Sequence, residues 1–598
     1  MTKTMRQTSW RTVLGSSLAL LPLFSGSAVA STTPGSLTLS STFDAISVRA
    51  SFSGDPNGNN SATIQFRKQG DSVWKSALAP IVDRRTSISG HANPYVNQAR
   101  GSIVGLQPGT TYEVSLTFSD PAGIVGSATL TGAVATIAPA APVSGAALFV
   151  DAGAASGGNG SSGSPFNSIP TAISAATAGT TIRVRPGTYP AFSISKSGNA
   201  SGYIAIVGDA RDQVFINGST ANNINVSGSF VQLKNLRLKQ SNNSSINVQN
   251  GSHHIWIENI YHENISASRN YDDAGVSIGD NTHNVYVLSN EFYSASLTNF
   301  NIPGNAWDQA GAGIYINAFP NPIGTFVFKN NTISGGFRDC IGNAVESWGN
   351  GTIDNSDIAY NYVTGCKDDG IQMEGDDVNL RIFGNVIDAT GWSCIANEVA
   401  LVGPVYVFRN ICRLHGSNSG YAFKLSGSPG YAFYIHNTID TTGGAASSDG
   451  WGGSGSKPLQ FIYNNIIRTS GIGLDAIGST NACVGSINCN VTSNVDSNLY
   501  LCNGTYFNAF GGTSYSSVAA LRSATGQEAH GKQGDALFID TARRISSTSL
   551  AYNAGIVIPN FNSLDSAWPY LASAPDIGAY EVGSDLQMPS PPQGFLLR

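Results

Sequence analysis

The chain is poor in charge. Only 12% of its 598 residues are Asp, Glu, Lys or Arg, and the formal net charge is −6. No Lys/Arg cluster occurs, which argues against a nucleic-acid or anionic-membrane partner. Helix-favouring charged runs are nearly absent. Beyond residue 30 no apolar stretch is long enough to span a bilayer. Cysteine is missing from the first 339 residues, and all seven cysteines lie from Cys340 to Cys502. An odd count leaves at least one thiol unpaired within a monomer, and no spacing matches a zinc–thiolate site. Cys483, Cys489 and Cys502 lie close enough in sequence to supply one local bridge.

What is abundant is glycine, at 68 residues, with frequent Asn, Ser and Thr. This points to an all-β protein with many turns. Residues 1–30 read as a secretory signal: Lys3, Arg6 and Arg11 precede the run VLGSSLALLPLF, and AVA stands before Ser31. The run is too short for a membrane anchor. The expectation is a soluble monomer, secreted or periplasmic, in a compartment that permits disulfides.

Residues 34–138 carry alternating runs such as AISVRASF and ATIQFRKQ, each a strand with one buried face. GSIVGLQPGTTYEVSLTF resembles the late strands of a fibronectin type III domain, which implies a β-sandwich with Tyr112 buried. A spacer role is the simpler expectation for this unit, ahead of sugar binding. A Pro/Ala linker follows at 138–146. From residue 147 a short helix (SIPTAISAATA) precedes a strand and a PGTY turn. The chain then repeats: FVQLKNLRL, IWIENIYH, VYVLSNEF, FVFKNNTI, IAYNYV, LRIFGNVI, VYVFRNIC, AFYIHNTI and FIYNNII. Their asparagines align as Asn235, Asn259, Asn290, Asn331, Asn361, Asn385, Asn410, Asn437 and Asn465. Period and alternation predict a right-handed parallel β-helix over 147–581, with 582–598 as a tail. The asparagines fit a tight bend, through αL geometry and amide stacking, and need no catalytic role. The leading helix caps the first coil and protects its edge.

The PFNSI…AGTTIRVRPGTY start, the N-x-[IV] coils and the closing PDIGAYE resemble the pectate-lyase-like β-helix superfamily. That resemblance implies the fold but leaves open lyase, hydrolase, epimerase or adhesin.

The stretch CKDDGIQMEGDD, residues 366–377, holds five acids in twelve residues. Aligning the strands on their inward residues puts Ser277, Tyr315, Gly342, Gln372, Ala396 and Lys424 in one outward column. Glu374 and Glu398 project two residues further on, and Asp339, Asp369, Ser393 and Tyr421 form another column. Asp339, Asp369 and Glu374 thus form a surface cluster of like charge that needs a cation, a proton or a basic side chain. Asp376 and Asp377 read as a solvated loop. DDGIQ, with Asp339 one coil earlier and YAFKLSG around Lys424, resembles the calcium motif and lysine segment of family 9 pectate lyases. The resemblance implies Asp339, Asp368 and Asp369 as Ca²⁺ ligands and Lys424 as the base. It departs from that pattern in Gln372, which stands where an Asp belongs. It departs also in an intervening coil, which places the acids about 10 Å from Lys424.

Three activities compete. A lyase acting on a uronate-containing polysaccharide uses Lys424, with Tyr315, Trp348, Arg338 and Gln372 as substrate contacts. A glycoside hydrolase needs only paired carboxylates, such as Glu374 with Glu398 or Asp339 with Asp369, with Arg413 and His415 as the nearest cationic candidates. A non-catalytic binder would use Tyr271, Trp307, Trp348, Trp392 and Trp451 as exposed stacking platforms. The acids beside Lys424 favour catalysis, and the lyase leads.

Overall fold

A computed structural model describes residues 31–589, apart from 144, 219–220, 264, 266–272, 294–310, 318–322, 344–352, 389, 399, 414–419, 443–447, 454, 456, 476, 478–492, 504 and 587. The leader at 1–30, Tyr271, Trp307, Trp348, His415, Cys483, Cys489 and the end of the tail lie outside the described residues.

The first unit is two four-stranded antiparallel sheets. One is ordered Thr32–Ser41, Ala45–Gly54, Gln98–Val104, Ile81–Asp83 and the other Thr129–Ala135, Thr111–Ser119, Ser61–Lys68, Lys75–Ser76. Alternation decides which residues meet between the sheets: Ile46 and Val48 on one, Ile64, Phe66, Val114 and Leu116 on the other. Tyr112 is buried as expected, and the Gln107 N–H donates to its hydroxyl at 3.0 Å.

From Ala147–Val150 onward the chain winds through three 13-stranded sheets. Successive coils add short strands to each sheet with parallel pairing, and the third sheet ends on an antiparallel pair, Phe507–Phe510 with Thr513–Tyr515. The third sheet stacks Ile314, Ile341, Ile371, Ile395, Phe423, Trp451, Leu474 and Phe507 in register. All belong to one continuous interior core. No coil could bury this surface alone, so the sheets stabilise one another through the shared interior. Trp451, expected as an exposed platform, is fully buried there, edge-on to Phe423 and Tyr434. Its place in the inward register leaves no other option.

Helices close both ends of the core. In Ile169–Ala175 the Ser168 hydroxyl caps the Thr171 N–H at 3.3 Å, and Ile169, Ala172 and Ile173 face inward. A second helix, Val518–Thr525, ends on Gly526 in the left-handed region and inserts Val518 and Leu521 into the same core. Sequence reading found only the first.

The asparagines split into two columns. From Asn290 through Asn331, Asn361, Asn385, Asn410, Asn437 and Asn465 to Asn498, each buried amide oxygen accepts the previous coil's ladder N–H. Asn361, for example, donates its backbone N–H and its Nδ2 to Asn385 Oδ1, both at 2.9 Å, and Nδ2 also reaches Phe328 O at 2.9 Å. Asn235 and Asn259 do not belong to this ladder. They occupy the left-handed position, φ +58° and +52°, which Ser289, Asn330, Tyr360, Gly384, Arg409, His436, Asn464 and Ser497 fill in later coils. The ladder residue therefore follows the αL residue, and the aligned repeats slip by one in the first two coils. Glu528 ends the ladder, accepting Asn498 Nδ2 and the Tyr500 hydroxyl, each at 2.7 Å. Burial pushes that carboxyl up to about 7.

The N-terminal sheets dock on the first sheet of the β-helix. Arg381, fully buried, pairs with Asp357 and donates to Ser47 Oγ at 2.9 Å and Ser102 Oγ at 3.1 Å. Arg100 donates to Gly403 O at 3.0 Å, and Arg85 to Pro429 O at 2.9 Å. Among the described residues no helix is long and apolar enough to cross a membrane.

Candidate active site

Four consecutive strands of the third sheet build the site: Ile341–Asn343, Asp369–Gln372, Ser393–Ala396 and Tyr421–Lys424. The inward residues Ile341, Ile371, Ile395 and Phe423 set the register. Gln372, Ala396 and Lys424 then fall in one column, and Asp369 pairs with Ser393, as alternation requires. Gly370 is demanded by packing, because a Cβ there would come within 2.5 Å of Ile387 Cγ2.

Asp339, Asp368 and Asp369 converge, each offering a carboxylate oxygen within 4.8 Å of the others. The Asp369 N–H donates to Asp339 Oδ1 at 3.2 Å, which ties the two coils together at the site. The acids were expected on the surface, yet Asp339 is 1% exposed, Asp368 5% and Asp369 0%. Neither carboxylate oxygen of Asp369 accepts a hydrogen bond within ordinary range. Burial, then the Asp368 charge, pushes Asp339 up to about 7. Asp368 is raised by burial, against the pull of Lys424 and Arg338. Asp369 is raised well above the carboxylate range by burial and by Asp368. Such oxygens, crowded and short of partners, are a hard donor set, and they fit a calcium-sized cation.

Lys424 reaches this set. Its Nζ lies 3.6 Å from Asp369 Oδ2 and 2.6 Å from Glu398 Oε2. Coil counting had put lysine and acids about 10 Å apart. That held for backbones and failed for side chains. The Ser393–Ala396 strand lies between, and its coil also carries Glu398, so the lysine side chain meets that carboxylate and reaches on across one coil to Asp369. Burial alone would lower the ammonium pKa, but Asp369 and Glu398 outweigh it and hold it above its ordinary value.

Arg338, expected as a substrate contact, lies 3.7 Å from both Asp339 and Asp368 and serves as their counter-charge. Gln372 donates to Glu374 Oε2 at 3.3 Å, and the Glu374 backbone pairs with the Asn343 amide. Glu374 is thus buried beside the site rather than projecting from it. Tyr315 keeps its outward column but is only 1% exposed, packed by Ala274 and Ala312, so it offers no open stacking face. Trp392 is half-buried. Asp376 and Asp377 are buried rather than solvated, and Asp377 accepts the Ile353 N–H at 3.3 Å. Arg413 is held by Asp388 at 2.9 Å and Thr541 O at 2.7 Å, on the second sheet and away from the acids.

Sequence reading missed two features. Lys457 is buried, with Nζ donating to the carbonyls of Gly453, Gly455 and Asp475 at 2.8, 3.3 and 3.2 Å, and burial lowers its pKa. Two disulfides, Cys340–Cys366 and Cys394–Cys412, lie in the interior behind the acids. Cys502, one of the three cysteines that could supply a local bridge, is a free buried thiol whose pKa burial raises to about 12, and the other two lie outside the described residues.

A family model described as "Pel9A-like, right handed beta helix region" matches residues 148–321. Among solved structures, pectate lyase Pel9A is similar at 16% identity and a TM-score of 0.42, covering 74% of this chain and 98% of its own. An alginate lyase from Paenibacillus sp. str. FPU-7 is similar at 16% identity and a TM-score of 0.34, covering 48% of this chain and 94% of its own. A GH87 alpha-1,3-glucanase from Streptomyces thermodiastaticus strain HF3-3 follows at 13% identity and a TM-score of 0.23, covering 72% and 93%. No curated protein matches. The family match ends before Asp339, so it bears on the coils and not on the acids. The chain carries a parallel β-helix that matches the Pel9A-like right-handed model over residues 148–321.

Proposed function

We propose that the protein is an exported polysaccharide lyase that cleaves a uronate-containing chain by β-elimination. The observation that carries this reading is the meeting of three buried carboxylates, within 4.8 Å of one another, with the Lys424 ammonium 3.6 Å from one of them. Asp339, Asp368 and Asp369 would hold Ca²⁺. When bound, that ion supplies positive charge to a uronate carboxylate and to the charge developing at C5. Lys424 is the base. It takes the C5 proton, the C–H electrons form the C4–C5 double bond, and the C4–O bond breaks with the leaving oxygen gaining a proton. Lys424 must first lose its own proton, which Asp369 and Glu398 oppose. Neutralising Asp369 is therefore a precondition of base catalysis. Arg338 remains beside Asp339 and Asp368, where it limits their mutual repulsion.

A hydrolase is the second reading. It rests on Asp339, whose carboxyl is held at about 7 and can carry a proton at neutral pH, as a general acid must. One experiment separates the two. The mature protein is incubated with a panel of uronate polysaccharides, with and without EDTA, while ultraviolet absorbance of the unsaturated product and new reducing ends are both recorded. An absorbance rise abolished by EDTA supports the lyase. Reducing ends without that rise transfer the assignment to carboxylate pairs.

A further inference from the structure

Both disulfides found among the described residues fall in the four coils that carry the site. Each runs between consecutive coils, and each is buried in the interior: Cys340, Cys366 and Cys394 are 0% exposed and Cys412 is 1% exposed. The first joins the coil of Asp339 to the coil of Asp368 and Asp369. Cys340 follows Asp339 directly, and Cys366 precedes Asp368 by two residues. The second joins the coil of Ser393 to the coil that leads into Lys424. The two bridges therefore differ in what they span, since only the first crosses between coils that contribute acids to the cluster.

We infer that Cys340 and Cys366 are positioning residues: their bridge holds two coils together against the repulsion of three crowded carboxylates, and so sets the cation affinity of the site. Two facts support it. The carboxylates approach within 4.8 Å while almost fully removed from water, so ionising them to receive a cation sets like charges together where they repel most strongly. The bridge also flanks the backbone bonds that join these coils, from the Lys367, Asp368 and Cys340 N–H groups to the carbonyls of Phe337, Arg338 and Asp369 at 2.7, 3.0 and 3.2 Å, so it clamps the segments that carry all three acids. A covalent link therefore lies where the acid-bearing segments meet and repulsion is greatest. Groups behind a metal's ligands commonly change its affinity about 10–100-fold when removed. The inference rests on the cation reading above.

The test uses the full chain and Ca²⁺ alone, with affinity measured by calorimetry and folding followed by circular dichroism. The Cys340→Ala/Cys366→Ala variant is expected to keep the β-sheet spectrum and bind Ca²⁺ at least about tenfold more weakly. The Cys394→Ala/Cys412→Ala variant removes a comparable crosslink that does not join the acid-bearing coils, and is expected to stay within about twofold of the parent. If the alanine pair does not fold, Cys340→Val/Cys366→Ala restores core volume for the same measurement. Equal losses in the two variants would reduce both bridges to general stabilisers and overturn the inference, as would no loss in either. A parent protein that binds no Ca²⁺ would overturn the cation reading itself, an outcome distinct from both.

Discussion

At the scale of single residues, the site sets an acid that keeps its proton beside a base that keeps its own. Lys424→Ala should lower the turnover of the active polysaccharide by about 10²–10⁴-fold. Calcium affinity should hold or rise, because a cation 3.6 Å from a ligand oxygen is removed. Lys424→Arg should not restore turnover, since a guanidinium does not release its proton. Kinetics and calorimetry on the same samples check both. Asp339 gives a pH prediction. Its folded value of about 7 lies above the ordinary 3.8, so the folded state binds that proton more tightly than the unfolded chain does. The stability it contributes is complete below about pH 4 and lost as pH rises through about 7. In chelator, the parent should lose melting temperature across that window relative to Asp339→Asn, and calcium should recover the loss at its upper end. A parent and variant that track each other would contradict the burial-driven shift.

At the scale of the repeated element, the two asparagine columns should respond differently. Asn385→Ala strands the ladder donors of Asn361 and removes two bonds made by its own amide, one to Ile358 O in the previous coil and one to Asn410 in the next, and should cost about 3 kcal/mol in urea unfolding. Asn235→Gly, at a left-handed position, should be nearly neutral, while Asn235→Ala should cost about 1 kcal/mol. The strands, the coil period and the inward register were legible from alternation. The ladder's offset was not, because Asn suits both the αL bend and the buried amide stack, and composition alone does not separate them. The disulfide pairing was also hidden, since the partners meet through coil stacking rather than through sequence spacing.

At the scale of the whole molecule, the N-terminal sheets are bound to the β-helix through buried charge. Arg381 is the clearest case, fully buried between Asp357 of the helix and Ser47 and Ser102 of the sandwich. Arg381→Ala would leave Asp357 buried without its partner, at a cost of about 3–5 kcal/mol. The expected result is earlier proteolysis between the N-terminal sheets and the helix, with the helix retaining its melting transition. Unchanged cleavage kinetics would mean that the remaining contacts, such as Arg100 to Gly403 and Asn560 to Val104, hold the interface unaided.

The sequence by itself determined the repeat, the parallel β-helix and the columns in which Asp369, Gln372, Ala396 and Lys424 stand. Those follow from period-two alternation and from a coil length that recurs along the chain, both local properties. Only the tertiary structure decided that the acids are buried, that Arg338 neutralises two of them, and that Lys424 crosses a coil to reach Asp369. Burial depends on what covers a strand, and reach depends on how side chains of stacked coils extend toward one another. Neither is a property of one segment, so neither could be read from one.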